Sequence, residues 1–205
     1  MGSADAFFPE LTAYLARRHG EVGDIVPSRR ERLRELARYI HTARNEGRPA
    51  QIIFVCTHNS GRSQLSQVWG TTAAAWFGLS NEVSVYSGGT EATSVNPRIL
   101  EALGRAGFRG DDAVRFGPEA APIRLSSKRY DDPANPQQDF DVVMNCNEAD
   151  RNCPLVLGAR HRLSLPYADP RDADGEPDAR EVYDARCAQI AAELLFAFSE
   201  ATRRE

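Results

Sequence analysis

The chain has 205 residues, a mass of 22.7 kDa and a formal net charge of −4 at pH 7. Its apolar fraction of 41% and charged fraction of 26% are typical of one soluble globular domain with an appendage. The acidic balance argues against nucleic acids and anionic membranes as partners, and the longest apolar run, residues 52–56, is far too short to cross a bilayer. Asp5 and Glu10 lie where a secretory signal would be basic and then apolar, so we expect a cytoplasmic protein.

The N-terminal segment, residues 4–46, predicts two helices. The second helix starts at a capping box of Ser28 and Glu31, in which each side chain can satisfy a backbone amide of the first turn. Apolar residues then recur at helical spacing and form one stripe, namely Leu33, Leu36, Ala37 and Ile40. Gly47 and Pro49 end the helix.

A basic stretch in this helix, residues 29–32, is interpreted as a solvated helix face and not as a binding patch. The segment carries no catalytic pattern. Residues 1–48 are therefore interpreted as an N-terminal helical extension that packs on the main domain or on a second subunit. Residues 49–205 are interpreted as the catalytic domain.

From residue 51 onwards, predicted strands alternate with predicted helices. Residues 51–55 form a continuous apolar run rich in β-branched residues, which is typical of a strand buried on both faces. Further strands are predicted at 82–86, 141–144 and 160–165, and helices at 62–77, at 97–106 and, with amphipathic character, at 179–200. Asn96 caps the helix that Pro97 begins, and a long excursion at 109–140 contains one strand at 122–126.

This alternation predicts an α/β fold in which a parallel four-stranded sheet is flanked by helices. Residues 87–89, Ser-Gly-Gly, are interpreted as a turn after the second strand.

Residues 56–63 spell Cys-Thr-His-Asn-Ser-Gly-Arg-Ser between a buried strand and a helix start. Successive backbone amides of such a loop can cradle a tetrahedral oxyanion, and the positive end of the helix favours an anion there. The residues expected to bind the oxyanion are Thr57, His58, Asn59, Ser60, Gly61 and Arg62. The same field favours a thiolate at Cys56, which makes this residue the candidate nucleophile.

Three side chains of the loop have expected roles. Arg62 can grip two oxygens of the anion through its planar fork. Ser63 can offer a hydroxyl to the Cys56 thiolate, and Asn59 can brace the loop through hydrogen bonds to the backbone. The alternative is a buried cysteine at a strand end with a chance arginine, but the flanking strand and helix favour an anion site.

Asp169, followed by Pro170, is the candidate general acid. A thiolate that attacks an oxyanion needs a group to protonate the leaving oxygen. The alternative is an ordinary Asp-Pro turn, since Asp132-Pro133 repeats the dipeptide elsewhere in the chain.

Cys146 and Cys153 lie seven positions apart, directly after a predicted buried strand. If the segment is helical, their Cα atoms are roughly 10 Å apart, whereas a disulfide requires about 7 Å or less. The pair is therefore a candidate redox switch that must unwind in order to bridge, and the alternative is two unrelated thiols on a loop. Pro154 and two asparagines keep the helix content of the segment marginal.

The remaining cysteine chemistry is limited. No two cysteines form a C-x-x-C pair, and His58 and His161 complete no familiar zinc spacing, so zinc is the weaker alternative. Cys187 stands among small apolar residues and is interpreted as a small hydrophobe in a packed face.

Together these elements resemble the thioredoxin-coupled arsenate reductases built on the low-molecular-weight protein tyrosine phosphatase fold. The resemblance spans about residues 50–200 and is carried by residues 56–63, 85–91, 95–97, 146–153 and 169–170. The N-terminal helices and the excursion at 109–140 look like those of a longer subgroup.

The resemblance implies a reaction sequence. Cys56 attacks arsenate held by the loop and Arg62, and Asp169 helps an oxygen depart as water. Cys146 then attacks Cys56 and releases arsenite. Cys153 attacks Cys146, and thioredoxin reduces the resulting Cys146–Cys153 disulfide.

Three positions depart from the family pattern. His58 replaces the glycine usual in the small reductases, and Gln67 stands where some relatives use a glutamate to hold a cation, so no metal and no other cofactor is expected. Arg171 stands where the tyrosine phosphatases usually place a tyrosine that lines the slot for the aromatic substrate.

Two alternatives to arsenate reduction stay open. One is hydrolysis of phosphotyrosine or of a small phosphomonoester through a phosphocysteine at Cys56. The other is a non-catalytic receptor for phosphate. The two relay cysteines and the absence of the slot tyrosine favour the reductase.

Overall fold

The computed structural model describes residues 6–111, 113–153 and 155–203. The predicted helical start at residue 4, the predicted outer ends at residues 1 and 205, and Pro154 lie outside these ranges. The helices of the described part are α1 Pro9–Gly20, α2 Pro27–Asn45, α3 Arg62–Trp76, α4 Pro97–Ala106, α5 Asn147–Asn152 and α6 Ala179–Thr202, with 3₁₀ turns at Glu21–Asp24 and Pro170–Ala173. The strands are β1 Ala50–Cys56, β2 Val83–Gly89, β3 Ala113–Val114, β4 Ile123–Arg124, β5 Phe140–Met144 and β6 Ala159–Ser164.

The main sheet has the strand order β2-β1-β5-β6, and every pair in it is parallel. The predicted α/β class with a parallel four-stranded sheet is therefore confirmed. β1 is central and pairs through Val55 with both Gly88 and Met144. As a result, the carboxyl ends of three neighbouring strands meet at one edge, which is where ligands bind in open α/β sheets.

β2 is longer than predicted. The interpretation of residues 87–89 as a turn is wrong, because these residues continue to pair with β1 as far as the Cys56–Gly89 pair. The two glycines are needed there for space. A Cβ on Gly88 would lie 2.4 Å from the Cα of Tyr130, and one on Gly89 would lie 2.2 Å from the carbonyl oxygen of Glu91.

Helix α6 is only partly amphipathic, so the prediction of an amphipathic helix over 179–200 is wrong for its second half. Residues 190–198 are all buried. The reason is tertiary: α6 packs against α1, α2, α3 and α4, and a helix surrounded on all sides is apolar all round.

The N-terminal helices pack into the main core. Leu11, Leu15 and the predicted α2 stripe belong to the same buried cluster as β1 and α6. The predicted capping box is wrong, because α2 begins at Pro27 with Val26 as its N-cap and no side-chain capping bond. Pro27 presets the first helical φ, which leaves Ser28 inside the first turn.

The predicted start of α4 is confirmed, since the Asn96 side chain accepts a hydrogen bond from the Arg98 amide and Pro97 follows the cap. The excursion at 109–140 contains a short hairpin of β3 and β4, so the strand predicted at 122–126 is reduced to two residues. None of the helices in the described ranges combines the length and apolar character that a bilayer crossing requires.

Gly107 ends α4 with a φ of +106°, and a Cβ there would lie 2.5 Å from the Leu11 amide nitrogen of α1. Gly107→Ala is expected to lower the free energy of unfolding by at least about 2 kcal/mol, because it adds left-handed strain and a backbone clash. Gly104→Ala, on the open surface of the same helix, is expected to raise it by about 0.5–1 kcal/mol. Urea titration measures both, and a Gly107→Ala variant as stable as the parent chain would contradict this packing.

Candidate active site

The loop at residues 56–63 joins the end of β1 to the start of α3. Cys56 is the last residue of β1, and its Sγ lies 3.0 Å from Ser63 Oγ. Asn59 Nδ2 donates to the same hydroxyl oxygen at 2.8 Å. Because that oxygen already accepts from Asn59, its own hydrogen is free to point at the sulfur.

Asn59 is fully buried and has a φ of +46°, in the left-handed region that asparagine tolerates. Its Oδ1 accepts from the Lys128 amide at 3.0 Å, and its carbonyl accepts from Gln64 Nε2 at 2.9 Å. The side chain therefore braces the loop, as the sequence suggested.

The carbonyl oxygens of the loop are bound from outside. The amides of Thr90, Glu91 and Asn96 donate to the carbonyls of Cys56, Thr57 and Ser60 at 3.1, 2.8 and 3.0 Å, respectively. The carbonyl and N–H of a trans peptide point in opposite directions. Holding these carbonyls from outside leaves the following N–H groups on the opposite side of the loop.

The excursion supplies further contacts of this kind, which the sequence analysis missed. Ser127 Oγ donates to the His58 carbonyl at 2.9 Å, and the Ser126 carbonyl accepts from Gln64 Nε2 at 2.9 Å. No local pattern marks residues 126–128 as functional, since their role arises from packing against a loop more than 60 positions away.

A small cavity lies over the sulfur. It is lined by Cys56, His58, Ser60, Gly61, Arg62, Asp169 and Arg171. Its volume of about 10 Å³ is the room that one water molecule needs, so a tetrahedral oxyanion enters only when the side chains above it move apart. Thr57 and Asn59, which were also expected to bind the oxyanion, are not among the lining residues.

Arg62 and Asp169 close the cavity together. Arg62 donates through Nη1 to the Tyr167 carbonyl at 3.1 Å and through Nη2 to Asp169 Oδ2 at 2.6 Å. The carboxylate thus occupies the arginine edge that an oxyanion would use.

Arg171 is a second cation at this cavity, which the sequence analysis noted only as a missing tyrosine. Its Nη2 donates to Asp169 Oδ2 at 3.1 Å and lies 3.1 Å from His58 Nδ1. Burial acts to raise the pKa of Asp169, but the hydrogen bond from Arg171 and the charge of Arg62 outweigh it and hold the pKa below its ordinary value. In this state Asp169 is a carboxylate.

Cys146 leaves the sheet beside Cys56. β5 ends at Met144, which pairs with Val55, and the Asn145 amide donates to the Val55 carbonyl at 2.7 Å. The Cys146 sulfur lies 3.4 Å from Thr57 Oγ1 and shares one buried cluster with Cys56.

Helix α5 separates Cys146 from Cys153. Cys146 is its N-cap, Cys153 is its C-cap, and both cysteines are free. The segment between the two thiols is therefore helical, and its rise of about 1.5 Å per residue keeps them from bridging. Cys153 is half-buried, and the next described residues include Leu155 and Leu157, which are 72% and 81% exposed.

Cys187 is buried and accepts a hydrogen bond from Trp69 Nε1 at 3.3 Å. Burial raises the pKa of its thiol to about 12, so it is inert, and its interpretation as a small hydrophobe is confirmed. Within the described ranges, no three side chains of His, Cys, Asp or Glu converge as metal ligands. Gln67 accepts a hydrogen bond from Ser87 Oγ.

The chain is similar to known proteins in sequence and in fold. The sequence profile of the family described as low molecular weight phosphotyrosine protein phosphatase matches residues 51–119. Arsenate reductase 2 from Staphylococcus epidermidis is 36% identical over 119 residues, which is 58% of this chain and 77% of that protein. The chain belongs to this family of phosphatases and arsenate reductases. The assignment makes it an enzyme and disfavours the non-catalytic receptor.

Two solved structures support the fold of this family member. A YwlE mutant from Bacillus subtilis is 17% identical, with a TM-score of 0.52 that covers 75% of this chain and 99% of that one. A low molecular weight protein tyrosine phosphatase from the same organism is 18% identical, with a TM-score of 0.50 that covers 73% and 95%, respectively. Both likenesses concern the fold.

Arg171→Gln is expected to raise the pKa of Asp169, because it removes the cation and donor that favour the carboxylate. A ¹³C NMR titration of the Asp169 carboxyl in the ligand-free chain measures the shift. Arg98→Gln is the matched control, since Arg98 pairs with Asp174 and not with Asp169. An Asp169 titration that is the same in both variants would contradict the assigned contact.

Proposed function

We propose that this enzyme reduces arsenate to arsenite through Cys56 and passes the resulting disulfide through Cys146 and Cys153 to thioredoxin. The observation that carries the proposal is the shared buried cluster of Cys56 and Cys146, with Cys153 packed against it. A phosphatase needs the loop, Arg62 and Asp169, but it needs no second and third thiol at that edge. The 36% identity to an arsenate reductase adds support.

In the first step, arsenate displaces Asp169 from Arg62, and its oxygens accept hydrogen bonds from the N–H groups of the loop. The Cys56 thiolate attacks arsenic, an S–As bond forms, and one oxygen leaves as water with the proton of Asp169. Once Arg62 pairs with the anion, Asp169 loses a cation and faces negative charge, which raises its affinity for a proton. Substrate binding therefore prepares the acid that the ligand-free site keeps ionised.

In the second step, the Cys146 thiolate attacks Cys56 Sγ. An S–S bond forms while the S–As bond breaks, and its electron pair reduces arsenic(V) to arsenic(III), which leaves as arsenite. Cys153 then attacks Cys146 Sγ, releases Cys56 as a thiolate and leaves the Cys146–Cys153 disulfide. A dithiol reductant of the thioredoxin type returns the two electrons.

The attack of Cys153 on Cys146 requires α5 to unwind. The helix has six residues, of which only Ala149 is buried, and such a short helix has little stability of its own. Its Asp150 is tied to β6 by hydrogen bonds from Ser164 Oγ and from Arg162.

A relay that starts from reduced thiols fits a reducing compartment, so we propose that the enzyme acts in the cytoplasm.

The second candidate function is phosphomonoester hydrolysis. It shares Cys56, Arg62 and Asp169 with arsenate reduction, because phosphate and arsenate have the same shape and charge. The family profile over residues 51–119 favours it. Arg171 in the cavity lining stands where the tyrosine phosphatases usually place a slot-lining tyrosine, and this departure favours the reductase over phosphotyrosine hydrolysis.

Cys146→Ser and Cys153→Ser are each expected to abolish thioredoxin-coupled turnover of arsenate and to spare hydrolysis of an aryl phosphate. Cys153→Ser should also accumulate a Cys56–Cys146 disulfide, visible by peptide mass spectrometry without reductant. Cys187→Ala is the matched control and should leave both activities unchanged. Arsenate turnover that survives both serine substitutions would refute the relay.

Asp169→Asn is expected to lower kcat for phenyl phosphate by roughly 10²–10³-fold, since this leaving group needs a proton. The loss should be much smaller for dinitrophenyl phosphate, whose leaving group departs as an anion. Asp172→Asn, at an exposed position of the same 3₁₀ turn, serves as the control. Equal losses for the two esters would exclude Asp169 as the acid.

A further inference from the structure

Arg29 departs from the interpretation of residues 29–32 as a solvated helix face. Its side chain is 17% exposed, and its guanidinium pairs at 2.9 Å with Glu193 of α6, which is 5% exposed. Glu193 also accepts from Gln189 Nε2 at 2.9 Å. The pair therefore joins the N-terminal helix α2 to the buried central helix.

The Arg29 guanidinium also lies over the ring of Tyr167, 4.7 Å from its centroid, which is within the range of a cation–π contact. Tyr167 is buried and stands two positions before Asp169. Its amide donates to the Asn145 carbonyl at 3.0 Å, and its carbonyl accepts from Arg62 Nη1 at 3.1 Å.

We infer that Arg29 is a positioning residue of the oxyanion site. It holds the Tyr167 ring, the ring holds the carbonyl, and the carbonyl aims one edge of Arg62 so that the other edge faces the cavity. Residues 1–48, which the sequence left without a role, thus reach the site through one side chain. The biological role of the Arg29–Tyr167 contact rests on the proposed function. Its effect on oxyanion affinity does not depend on which reaction the site catalyses.

A second ion pair joins the same two helices, α2 and α6. It serves to distinguish an effect on the oxyanion site from the packing of α2 on α6. Arg34 of α2 donates to Glu200 of α6 at 3.0 Å, and its guanidinium lies 5.6 Å from the ring centroid of Phe196, also of α6. This pair tethers the same helices without touching the loop that carries Tyr167. It therefore provides the comparison that the test needs.

The test is isothermal titration of inorganic phosphate into the full-length chain. Arg29→Gln with Glu193→Gln removes the pair without leaving a lone buried charge. Its phosphate Kd is expected to rise by about tenfold, as a misaimed guanidinium loses a charge-assisted hydrogen bond. Arg34→Gln with Glu200→Gln is expected to change Kd by less than about twofold, in the range of an exposed pair.

Equal phosphate affinities in the two double variants would overturn the inference. Should the first variant fail to fold, Tyr167→Leu with Arg29 intact tests the same link, because it removes the ring between Arg29 and the carbonyl. Loss of phosphate affinity in that variant supports the inference, and parental affinity overturns it. Phosphate binding needs neither Cys146 nor Cys153, so a failure of the reductive relay would leave this result unaffected.

Discussion

The site depends on one orientation, namely that of the peptide groups between Cys56 and Arg62. A ring of N–H groups pointing at one spot is unfavourable unless something outside holds the opposite carbonyls. Here the segment after β2 and the excursion donate the hydrogen bonds that hold those carbonyls. The end of β2 runs through two glycines, because Gly89 lies against the loop backbone and Gly88 lies against Tyr130 of the excursion.

Charge balance explains why the ligand-free site is closed. Two arginines line a cavity of one water's volume, and Asp169 pairs with both of them and balances one of the two positive charges. The same carboxylate is the proposed acid, so its two states belong to two stages of one cycle. In the proposed cycle, an incoming dianion takes over Arg62, and the Asp169 carboxylate then gains a proton.

The parts of the structure that the sequence predicts are those encoded within a few residues. The apolar run of β1, the Asn96 cap and the loop after β1 carry their own signals. The burial of Arg29 and the contacts of residues 126–128 with the loop depend on distant segments of the chain. In the sequence, an arginine on a buried helix face cannot be distinguished from one on an exposed face. The all-round burial of the second half of α6 was missed for the same reason, since α6 is surrounded by four other helices, α1 to α4.

The proposed relay requires that the oxidation of Cys56 ends as a disulfide between Cys146 and Cys153, at the two ends of α5. Mixing the fully reduced chain with arsenate in the absence of any reductant tests it most directly. We expect one arsenite released per chain, two thiols lost and a Cys146–Cys153 disulfide in the peptide map. Release of no arsenite, or release with every thiol still free, would contradict it.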